Sequence, residues 1–103
     1  MIQINEKIYT ESLIVTSAQL IEHCLPQTVH ELSLTALCQV IALRPDILLI
    51  GTGQELIFLP IEIYGELLNQ GIGVEIMDTS AACRTYNALS AENRKVAAAL
   101  IIK

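Results

Sequence analysis

From Ile47 onward the chain alternates three strand-like runs, mostly apolar, with two amphipathic stretches, and this alternation limits the fold more than any other feature. Ile47-Leu48-Leu49-Ile50 is apolar throughout, as a strand covered on both faces must be. Ile72 to Met77 and Val96 to Ile102 supply the other two runs. Between the first and second, Pro60 stands where prolines open helices, and Ile61, Tyr64 and Leu68 make one stripe with Leu67 beside it. Glu62, Glu66 and Asn69 then face away. Gly71 sits where a helix closes on a left-handed residue. After the second run, Asp78 or Thr79 is placed to cap a helix by accepting a bond from its free N–H groups. That helix directs Ala82, Tyr86 and Leu89 to the core, with Ser80, Arg84 and Asn87 on another face. Alternation of this kind predicts an α/β sheet with helices packed on it.

The first 44 residues carry weaker signals. Ser12-Leu13-Ile14-Val15-Thr16 reads as a short strand, its β-branched residues bounded by polar ones. Gln19 to Cys24 fits strand or helix, strand being preferred, and Pro26 ends it. Leu34, Leu37, Val40 and Ile41 fall at helical spacing, and the helix must stop before Pro45, whose ring excludes the preceding residue from helical backbone. Leu56-Ile57-Phe58 reads as a short strand or strand-like return.

Size and charge exclude several functions. At 103 residues and 52% apolar composition the chain suits one domain, residues 1–103, with a core large enough to need no disulfide or metal. Six Lys and Arg against eleven Asp and Glu give a net charge of -5, the wrong sign for a nucleic-acid footprint. Tyr9, Phe58, Tyr64 and Tyr86 are too few for base stacking. Cys24, Cys38 and Cys83 are odd in number and lack CxxC spacing, which favours a reducing compartment and a cytoplasmic location. The opening MIQINEKIYT has no continuous apolar core of a secretory signal, and no uncharged run reaches the length of a membrane span.

Several pieces taken in order resemble a known family. They are LLIGTG (Leu48 to Gly53), Pro60 opening a helix, GIGVEIMDT (Gly71 to Thr79), ACRTYN (Ala82 to Asn87) and RKVAAALI (Arg94 to Ile101). Together they resemble the Mth-type domain of unknown function. That family includes small stand-alone proteins, an adipogenesis-associated protein and a mitochondrial assembly factor for respiratory complex I. The resemblance runs from about Pro45 to the C-terminus. It implies an α/β, single three-layer domain: a mixed central sheet of about five strands, helices on one side and a smaller β-containing layer on the other. It implies no reaction, and its mitochondrial branch acts by holding partner proteins during assembly.

Three groups of residues could carry chemistry. Gly51-Thr52-Gly53 follows a buried strand, and Glu75 lies downstream, as in a dinucleotide site. Yet the third glycine is replaced by Leu56, an apolar run follows where a helix should begin, and Glu75 lies inside its strand. A tight turn using glycine for positive φ is the preferred reading. The second group is the Asp78-Thr79 corner with Arg84 and Asn87. It offers the positive end of a helix and an added cation, enough for an anion or small polar ligand. Helix capping and a solvated arginine explain the same residue types. If the strands before Gly51 and Asp78 run parallel, both loops share one sheet edge, where α/β proteins often bind ligands. The third is Cys83 in the first turns of that helix, either an activated thiol or a packed one. Its only bases would be His23 and His30, and nothing brings either near.

No HExxH, P-loop or GxSxG sequence occurs, and no metal or cofactor is expected. Glu62 and Glu66 share a helix face, the ordinary sign of a solvated surface. The leading expectation is a non-enzymatic, assembly-factor-like module that contacts another protein or its own copy. The high apolar content leaves room for an exposed apolar patch. The alternative is a small-ligand or anion-binding domain, with or without weak enzymatic activity, built on Gly51, Thr52, Gly53, Asp78, Thr79, Arg84 and Asn87.

Overall fold

A computed structural model describes residues 2–4, 7–9, 11–16, 20–22, 32–34, 36–92 and 95–101. His23, Cys24, Pro26, His30 and Ile102 lie outside the described residues. The element order is β1 (Ile2–Ile4), β2 (Lys7–Tyr9), β3 (Leu13–Thr16), β4 (Leu20–Glu22), α1 (Cys38–Ala42), β5 (Ile47–Gly51), α2 (Ile61–Asn69), β6 (Gly73–Met77), α3 (Thr79–Ala91) and β7 (Val96–Leu100). Strands β1 and β2 form a separate antiparallel pair.

The other five strands make one mixed sheet in the order β4-β3-β7-β5-β6. The three strand-like runs of the second half lie side by side and parallel, with β5 between β7 and β6. β3 joins β7 antiparallel, and β4 joins β3 antiparallel, so the sheet is mixed as expected. Side chains alternate across it. Ile14, Leu48, Ile50, Ala97 and Ala99 enter one core, shared with Leu37 and Val40 of the α1 region and Leu67 of α2. Leu13, Val15, Leu49, Ala98 and Leu100 enter the other, against Ala82, Tyr86 and Leu89 of α3.

The helices therefore do not share one side, which corrects the layering implied by the family resemblance. Strand order supplies the reason. The chain leaves β5, passes through α2 and arrives at β6 on the sheet edge. It then returns through α3, past β5, to β7. Strand–helix–strand crossovers between parallel strands are right-handed. Two crossovers of one hand that travel in opposite directions must place their helices on opposite faces.

Local chemistry sets the ends of α2 and α3. Gly71, at φ +82°, follows α2 as a left-handed residue. The Ile72 N–H donates to Leu67 O at 3.1 Å and the Gly71 N–H to Leu68 O at 3.0 Å, so carbonyls of the last turn find donors beyond the helix end. Asp78 caps α3, its side chain accepting from the Ala81 N–H at 2.9 Å. The early helix is shorter than its spacing predicts. Only Cys38–Ala42 is helical, Leu34 lying in the turns ahead of it.

Of the expectations about residues 56–68, one holds only in its looser form, a strand-like return, and one fails. Leu56-Ile57-Phe58 is not a strand and joins no ladder. Its residues still alternate, Ile57 and Leu59 turning inward while Leu56 and Phe58 face out. The side of α2 that meets the core is carried by Leu67, Ile63 and Tyr64, while Ile61 and Leu68 face outward. Helical spacing establishes that Ile61 and Leu68 share a face but not that the face is the covered one. This division yields a direct test. Leu67→Ala should cost about 2–5 kcal/mol, as expected when a fully buried leucine is cut back. Leu68→Ala should stay within about 0.5 kcal/mol. Urea denaturation of the two variants reads the difference.

Candidate functional site

The parallel arrangement of β5 and β6 brings the two predicted loops to the same carboxyl edge of the sheet. Gly51, Thr52 and Gly53 lie there beside the corner at Met77, Asp78 and Thr79, and Gly53 is bonded directly to Thr79. The Thr52 N–H donates to Met77 O at 2.9 Å, and the Thr79 N–H donates to Gly53 O at 2.9 Å. The Thr79 hydroxyl donates to Ile101 O at 2.6 Å and accepts from the Gly53 N–H at 2.8 Å. The Ile101 N–H donates to Gly51 O at 2.9 Å. One buried threonine thus ties together the ends of β5 and β7 and the first turn of α3.

Gly51 is required by distance. A β-carbon there would stand 2.9 Å from Thr79 Cα and 2.9 Å from Thr79 Oγ1, closer than such atoms approach. Gly53 has φ +105°, the positive value expected of the turn. Thr52 organises the loop that follows. Its hydroxyl donates to Glu55 O at 2.6 Å and accepts from the Ile57 N–H at 3.1 Å. The donors and acceptors gathered at this corner are engaged with one another. No buried side-chain nitrogen or oxygen among the described residues lacks a partner.

The remaining predicted residues lie along α3. Arg84 and Asn87 are exposed, away from the buried threonine bonds of the corner. Cys83 packs against the core under α3 and is half-buried. Burial pushes its thiol above the usual value, outweighing the opposing pull of the Arg84 guanidinium. Burial therefore keeps this thiol protonated at neutral pH, and thiolate is the reactive form. Among the described residues, no three His, Cys, Asp or Glu side chains cluster as a metal site.

A second surface emerges from the exposed side of α2 and the segment before it. Phe58 is 80% exposed, Ile61 66%, Leu68 52% and Leu56 49%, values far above those of the core. On a helical wheel of about 100° per residue, Ile61, Gly65 and Leu68 share one arc. Glu62, Glu66 and Asn69 border that arc on the side away from the core, and all three are exposed. Sequence reasoning missed this surface by assigning Ile61 and Leu68 to the core. The available signal was the excess of apolar residues on α2, which one buried face cannot absorb.

Comparison with known proteins gives this fold a family. Residues 1–101 match the family described as protein of unknown function (DUF498/DUF598). The chain belongs to it. A Francisella tularensis relative called "13 kDa major membrane protein" is 33% identical over 94 residues, which is 90% of this chain and 76% of that protein. The zebrafish (Danio rerio) NADH dehydrogenase (ubiquinone) 1 alpha subcomplex assembly factor 3 is 42% identical over 73 residues. That match covers 69% of this chain and 42% of the assembly factor, so the chain accounts for less than half of that protein's length. Among solved structures, an NMR structure from Xanthomonas campestris superposes with a TM-score of 0.87 at 37% identity, covering 96% of this chain and 75% of that one. A Bordetella pertussis protein described as a Mth938-like domain superposes at 0.77 with 27% identity, covering 95% of this chain and 77% of that one. The Mth-type resemblance is therefore correct, and the family's members share the fold. No helix among the described residues is long and apolar enough to cross a membrane.

Two substitutions test the corner as a structural lock. Thr79→Val keeps the shape but leaves the Gly53 N–H and the Ile101 carbonyl without the hydroxyl, at an expected cost of about 1–3 kcal/mol. Gly51→Ala must displace the start of α3 and should lower Tm as well. Thermal denaturation followed by circular dichroism measures both, and a parent-like Tm for both would refute the lock. For Cys83, iodoacetamide should react more slowly at neutral pH in the folded chain than in urea, as read by mass spectrometry of the proteolytic peptide that carries it.

Proposed function

We propose that residues 1–103 act as a single non-enzymatic domain that binds another protein, in the manner of an assembly factor. Homology to the complex I assembly factors supports a role of this general class. The observation that carries the reading is the exposed apolar surface of Phe58, Ile61 and Leu68 on a chain with a complete core. Large hydrophobic side chains left exposed close together along the chain are a common mark of a contact site. A cytoplasmic location accompanies the proposal but is not required by it.

The carboxyl-edge corner supplies the contrasting case. Its amides of Gly53 and Thr79 and its two threonine hydroxyls are spent on holding loops, so an anion would have to break those bonds to enter. A ligand role for Gly51, Thr52, Gly53, Asp78, Thr79, Arg84 and Asn87 remains the competing proposal. A ligand at 100 times its Kd adds about 2.7 kcal/mol of stability. In a domain of this size that raises Tm by roughly 10 °C or more. Phosphate, nucleotides and carboxylates are expected to leave Tm unchanged in a thermal-shift screen. A rise of that size, abolished by Arg84→Ala, would replace the protein-binding reading with the ligand one. The positive test is affinity capture with the tagged full chain from its native lysate. One partner should be recovered in stoichiometric amount and should capture the chain in return.

A further inference from the structure

Resting on that reading, we infer that Leu56, Phe58, Ile61 and Leu68 form the docking surface, and that its occupant is an amphipathic segment of another protein whose apolar stripe is flanked by Lys or Arg. Two features fix the apolar part. The segment before α2 turns Leu56 and Phe58 outward while Ile57 and Leu59 anchor it from below. α2 then continues the surface with Ile61 and, two turns on, Leu68. Gly65 lies between them on the same arc. A methyl group there would meet only Ile61 Cγ1 at 3.5 Å, an ordinary contact, so packing does not demand a glycine. Glycine inside a helix is disfavoured relative to alanine. What it provides is a notch between two exposed aliphatic side chains, into which a partner's side chain can seat.

Charge selects the occupant. No Lys or Arg occurs between Arg44 and Arg84, whereas Asp46, Glu55, Glu62, Glu66, Glu75 and Asp78 all lie in that interval. Glu55, Glu62 and Glu66 are exposed beside the apolar surface. A second copy docked through the same surface about a two-fold axis presents the same acidic border and, over residues 45–83, no Lys or Arg to pair with it. An anionic bilayer would likewise meet like charge. Lysine or arginine beside an apolar stripe meets the acidic border with the opposite sign, and such complementarity governs both partner choice and association rate. An amphipathic helix laid against an apolar surface through residues spaced three and four apart is an established mode of recognition.

The test uses the full-length chain and two synthetic amphipathic helical peptides with the same leucine stripe, one flanked by lysine and one by glutamate. Fluorescence anisotropy should show the lysine peptide binding at least roughly tenfold more tightly than the glutamate peptide. Backbone amide shifts in NMR should map to residues 54–69. Phe58→Ser with Leu68→Ser should weaken binding at least tenfold with Tm unchanged, since both residues are exposed. Glu62→Lys with Glu66→Lys keeps the apolar surface and should reverse the preference between the peptides. Equal affinity for both peptides, or amide shifts elsewhere, overturns the proposal. So does binding to phosphatidylglycerol vesicles in preference to the lysine peptide, or concentration-dependent dimerisation through the same residues. Lysate capture separates this proposal from the broader one. If the Phe58 and Leu68 double variant retrieves the parent's partner undiminished, the surface is wrong and protein binding stands. If the parent chain retrieves none, the broader reading falls.

Discussion

Everything at the carboxyl edge of the sheet depends on the close approach of Gly51 and Thr79. The chain reaches the edge strand β6 and must return past β5 to form β7, so the first turn of α3 passes over the end of β5. A side chain at position 51 would occupy the space that Thr79 fills. With glycine there, Thr79 descends far enough for its hydroxyl to join the Gly53 N–H to the Ile101 carbonyl. The bond is buried, so losing either partner would leave a polar group dry, which costs more than the bond itself contributes. Three elements distant in sequence are thereby held in one register.

The same corner shapes the surface beside it. Thr52 holds the turn through Glu55 and Ile57, which starts the segment with Ile57 inward. From that point the alternation of the chain leaves Leu56 and Phe58 outside, and Leu59 anchors the entrance to α2. The closed corner and the open apolar face are thus consecutive products of one loop. The Gly51-Thr52-Gly53 turn, whatever else it holds, is bonded so that it leads the chain toward Phe58.

The parts legible in the sequence were those decided locally. The solid apolar runs at residues 47–50 and 96–102 announced the two buried parallel strands, because a strand covered on both faces has no polar side to show. Gly71 and Asp78 announced helix ends, because free carbonyls and N–H groups need particular partners at those positions. The face on which each helix lies was not legible, since it follows from strand order, which no local pattern encodes. The same limit misassigned Ile61 and Leu68. A Gly-x-Gly turn reads alike whether its amides await an anion or a threonine from another loop. Only the position of Thr79 distinguishes the two.

An exposed apolar surface on a small protein is a hazard as well as a tool, since it invites self-association. The absence of basic residues from Pro45 to Cys83 bears on that hazard directly. Copies that approach through this side meet like charge at Glu55, Glu62 and Glu66, and the repulsion acts at long range, before the apolar side chains can touch. An oppositely charged partner meets attraction over the same distance. On the proposed reading, a single acidic border would do two jobs, rejecting the chain's own copies and admitting a basic neighbour. Among the described residues no charge is buried in the core, where burial would penalise it. Selectivity of this kind requires the apolar residues and the carboxylates to lie on one continuous segment. Residues 55–68 satisfy that requirement, and the lock at Gly51 and Thr79 holds the start of that segment in place.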